Sequence, residues 1–69
     1  MDFPDKARIR IEHWLKHNEF HITEYDRFVE ELEAAGMQAG AEHIREMIAW
    51  TTKGNACLRK ALKVISNGN

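Results

Sequence analysis

The sequence has one cysteine, one proline and no apolar run near the roughly 18 residues that a membrane-spanning helix needs. With Cys57 alone, no internal disulfide can form, which suits a reducing compartment. The lone Pro4 stands where a first helical turn tolerates it, and three of the four glycines fall near expected element ends, Gly54 being the exception. An excess of one charge is also missing. Ten Lys and Arg against eleven Asp and Glu leave a net charge of −1, so there is no strongly basic face of the kind nucleic acid requires. No glycine-rich phosphate loop and no Gly-x-Ser-x-Gly elbow occur. These absences lead to the expectation of a cytoplasmic all-α protein without a cleavable signal, a membrane partner or a nucleic-acid partner. A chain of 69 residues forms one domain, 1–69, and one this small needs a partner, a metal or very regular helix packing.

Periodicity is what the sequence has in abundance. Ile11, Leu15, Asn18, Ile22, Tyr25, Val29 and Leu32 are spaced alternately four and three residues apart, a heptad seam. Ala41, Ile44, Ile48, Thr51, Asn55, Leu58, Leu62 and Ile65 form a second. Between them Ala35-Gly36 offers a helix end, with Gly36 in the left-handed conformation. The pattern predicts helix 1 over about 4–35, a turn at 36–39, helix 2 over about 40–66, and a frayed tail. A short loop makes the helices antiparallel. Pairs whose numbers add to 73 then match every seam position of helix 1 with one of helix 2. Asn18 meets Asn55, a polar pair that costs stability and fixes register. A competing reading breaks both helices at this level, because Asn18 to Thr23 contains poor helix formers, Thr23 could cap a new helix, and Gly54 lies opposite.

A second apolar face flanks the seam. Trp14, His21 and Phe28 lie seven apart on helix 1; Met47, Gly54 and Ala61 take the equivalent flank of helix 2, with Trp50, Cys57 and Val64 one step further round. Two hairpins meeting there would make a symmetric homodimer, a four-helix bundle. Basic residues gather at the open end and acidic ones toward the loop, an asymmetry able to align subunits head to tail or to dock an acidic partner.

Three of the four histidines fall in His13-Trp14-Leu15-Lys16-His17-Asn18-Glu19-Phe20-His21. His17, His21 and Glu24 share one strip of helix 1, the spacing at which two imidazoles and a carboxylate can approach one ion. They are the candidate metal ligands, with Cys57, His13 and His43 as weaker candidates and Zn or Ni as the ion. The competing reading makes the histidines packing residues that hydrogen-bond a carboxylate. In the aligned hairpin His21 is expected beside Gly54, whose missing side chain leaves room for the ring. Cys57 as a nucleophile lacks an evident oxyanion site or cleft, so no complete active site is expected.

The same run, followed by Glu24-Tyr25 and the Ala35-Gly36 turn, resembles an uncharacterised family of short prokaryotic helical hairpins with a His-Trp-x-x-His-Asn-x-x-His motif. Asn55-Ala56 departs from it, reversing the Ala-Asn pair of the second helix. The resemblance implies the hairpin fold and no established activity. The functional expectation is a small homodimeric interaction or accessory module. The alternative is a transition-metal-binding bundle using the histidines of helix 1.

Overall fold

The structure, a computed structural model, describes residues 2–67. It contains two helices, α1 (Phe3–Ala34) and α2 (Gln38–Ser66). Met1, Gly68 and Asn69, the last two part of the expected frayed tail, lie outside the described residues.

Local chemistry accounts for both ends of α1. Asp2 is the N-cap, its carboxylate accepting from the Asp5 amide at 3.3 Å, and Pro4 sits in the first turn, where no helical donor is lost. Asp5 pairs with Arg8 and lies at the positive end of the helix dipole. At the other end Gly36 has φ +77. Its amide donates to the Glu33 carbonyl at 3.0 Å, and the Met37 amide to the Leu32 carbonyl at 2.8 Å. These two bonds form a Schellman motif, which needs the left-handed glycine to turn the chain.

Neither helix breaks at its midpoint. Thr23 caps nothing; its hydroxyl donates back to the Glu19 carbonyl at 3.2 Å, inside a continuous α1. The seams meet in the expected register, because the Asn18 Nδ2 donates to the Asn55 Oδ1 at 2.9 Å. Asn55 is only 2 % exposed, and no buried side-chain nitrogen or oxygen among the described residues lacks a partner. Burial follows the seams: Ile11, Leu15, Val29, Ala41 and Asn55 are buried and the other seam residues half-buried.

The two flanks of the hairpin differ chemically. Asp5, Glu12, Glu19, Asp26 and Glu33 form an acidic row, seven apart, along one side of α1. Across from it Arg59 reaches Glu19 at 3.4 Å and Arg45 pairs with Glu33. These exposed pairs each add little stability, but they mark the side on which the helices are bridged by charge. The Trp14, His21 and Phe28 flank therefore lies on the opposite side, next to the Met47, Gly54 and Ala61 flank, and the two form one face.

The core is thin. The molecule measures 51 × 17 × 11 Å, two helices wide and one helix thick. No large side chain among the described residues is fully buried.

Candidate functional site

Two features stand out on this rod: a ladder of rings along α1 and an apolar flank. The ladder exists because residues four apart lie nearly above one another on a helix. The His13 and His17 rings stack with centroids 6.0 Å apart, and the His17 and His21 rings meet edge to face at 4.3 Å. His21 in turn stacks on Tyr25 at 5.8 Å.

The polar contacts form a chain rather than a cage. The Nε2 atoms of His17 and His21 are 2.9 Å apart, and the His21 Nδ1 lies 2.9 Å from the Glu24 Oε1. A bond between two ring nitrogens needs one protonated and one bare nitrogen. The simplest neutral arrangement has His17 Nε2–H donating to His21 Nε2, and His21 Nδ1–H donating to Glu24. A charged His21 would reverse the first bond and keep the second. Protonating both rings removes the acceptor and breaks the first.

This geometry corrects the expectation of bound Zn or Ni. His21 turns one ring nitrogen toward His17 and the opposite one toward Glu24, so the three groups do not converge on a common point. The weaker candidates do not complete a set. His13 stacks on His17, while Cys57 and His43 are exposed on the other helix. No group of three or more His, Cys, Asp or Glu among the described residues could hold a metal ion. The expected seat for His21 beside Gly54 is also corrected: a Cβ placed on Gly54 would meet nothing within 4 Å. The ring is held along its own helix instead.

The apolar flank is the larger feature. Trp14 and Phe28 are each 48 % exposed, Trp50 64 %, Val64 50 % and Met47 37 %. Lys53 lies over the Trp50 ring at 5.3 Å, a cation–π contact that covers part of it. Near the open end, Phe3, Lys6, Ala7, Arg10, Ile11 and Trp14 line a groove of about 400 Å³ with mostly apolar walls. Sequence reasoning did not find this groove. Its signal was the small Ala7 on the flank that carries Trp14 one heptad later. Phe20 and Ile9 are exposed as well, off both the seam and the apolar flank. No helix among the described residues is long and apolar enough to cross a membrane.

A family described as Domain of unknown function (DUF8180) matches residues 7–65. That span includes both seams and the ring ladder, and leaves out Phe3 and Lys6, two of the residues that line the groove. Neither a curated protein nor a solved structure matches the chain.

Proposed function

We propose that this chain, which belongs to the family described as Domain of unknown function (DUF8180), acts as a homodimeric assembly module whose hairpins meet on the apolar flank as a four-helix bundle. One observation carries the reading. Trp14, Phe28 and Trp50 are about half exposed or more on one side of a molecule in which, among the described residues, the only large apolar side chains below a tenth exposed are Ile11, Leu15 and Val29. A helix pair this thin leaves unburied the surface that stabilises larger domains. Exposed apolar patches of this extent mark interaction sites.

The size of the face supports a second copy as the occupant. A side of the molecule 51 Å long and 17 Å wide gives room for the ~800 Å² per partner of a stable interface. The need belongs to the fold itself, and another copy is available wherever the chain is made. Closed two-fold dimers are the commonest way to meet such a need. In that bundle the charged flanks and helix ends face outward, free to engage another protein as an accessory module would.

Melting as a function of concentration tests the proposal. Association that favours the folded state makes the melting temperature rise with protein concentration by mass action. A melting temperature unchanged across a hundredfold dilution would reject the dimer.

A further inference from the structure

We infer that the two copies pack with their loops at opposite ends, seating Phe28 of the partner subunit in the Ala7 groove and crossing the two α2 helices at Gly54. The inference rests on the dimer proposed above and concerns its orientation. Two hairpins can be stacked face to face with the two-fold axis either along the rod or across it. The first puts both loops at one end and lays α1 on the partner's α2. The second puts the loops at opposite ends and lays like helix on like helix. Three independent features of the chain favour the second.

Charge is the first. Residues 19–54, the loop half, carry eight Asp and Glu against three Lys and Arg, a net −5. The open half, the remaining residues, carries seven Lys and Arg against three Asp and Glu, a net +4. Loops at one end would stack like on like at both ends; loops at opposite ends set each basic half against an acidic half. Arg10 and Glu24 stand two heptads apart on one strip of α1, so α1 on α1 brings each Arg10 to Glu24 of the partner subunit. With loops together, Arg10 would instead face the level of Lys63.

Shape is the second. The α1 flank reads Ala7, Trp14, His21, Phe28. Laid antiparallel on itself it sets Ala7 against Phe28 and Trp14 against His21, small or medium against large at each step. Ala7, where the partner's ring arrives, lines the groove of about 400 Å³, whose walls are mostly apolar and include Lys6 and Arg10.

Gly54 is the third. A glycine inside a helix costs about 1 kcal/mol relative to alanine, yet a Cβ here would touch nothing in the chain. The single hairpin therefore has no use for it. In the inferred dimer Gly54 lies at the axis, within about two residues of the level at which the α1 flank pairs with itself. Without a side chain there, the α2 backbones approach closely, and Met47 meets Ala61 on either side.

Spin labels at the loop distinguish the possibilities. With a label on Gln38→Cys in a Cys57→Ser background, opposite loops place the two labels roughly 45–50 Å apart, from a rise of 1.5 Å per residue. Pulsed dipolar spectroscopy giving that distance supports the inference. Labels within roughly 20 Å, the scale of adjacent helices, overturn it and leave the dimer standing. No dipolar coupling together with the mass of one chain overturns the dimer and the inference together. A charge swap gives a second test. Arg10→Glu should weaken association about tenfold through two symmetry-related contacts, and adding Glu24→Arg should restore it. A double variant no tighter than Arg10→Glu would contradict the pairing.

Discussion

Trp50→Glu is expected to raise the dissociation constant of the dimer at least a thousandfold. In the hairpin alone Trp50 is 64 % exposed, and a substitution at so exposed a site would change stability by about 0.5 kcal/mol or less. In the bundle the same carboxylate would be buried, its charge only partly offset by Lys53 one turn along the same helix. Roughly 2 kcal/mol or more per copy, twice over in a symmetric dimer, gives the thousandfold figure. Trp14→Glu should act the same way, from the other helix. Thr52→Glu is the control: it adds the same charge at an exposed site on the side bridged by Arg45 and Arg59, and should leave the mass in solution unchanged. Equal masses for wild type and Trp50→Glu would mean that the apolar flank does not join the chains.

The second large effect concerns the Asn18–Asn55 pair. Asn18→Leu removes the donor to a carbonyl on a residue only 2 % exposed. The unpaired group should cost about 1–3 kcal/mol in denaturant unfolding. Asn18→Leu with Asn55→Leu removes both polar groups and fills the layer with apolar volume, so the double variant should be more stable than either single one. The coupling energy from this cycle is thus large and of opposite sign to the single losses. Additive losses would show that the two amides act independently.

The sequence made the pairing legible because seam spacing depends only on helical periodicity, which two uninterrupted helices obey. The same holds for Gly36, since its left-handed backbone is required by the turn whatever surrounds it. The ring ladder was only half legible. Spacing places His17, His21 and Glu24 on one strip, but it does not say which ring nitrogen faces which neighbour. His21 uses opposite nitrogens, and on that detail the Zn or Ni expectation fails. Gly54 shows the same limit: spacing sets it beside His21 inside the chain, whereas a side chain there would meet open space. The Ala7 groove escaped notice because it is made by what a small residue leaves unfilled between larger ones.

The most direct measurement of the central claim is sedimentation equilibrium of the full chain at micromolar concentration, with circular dichroism on the same samples. The account predicts a helical species of twice the 8.0 kDa chain mass, dissociating and losing helix together on dilution. A fully helical species at 8.0 kDa would contradict it.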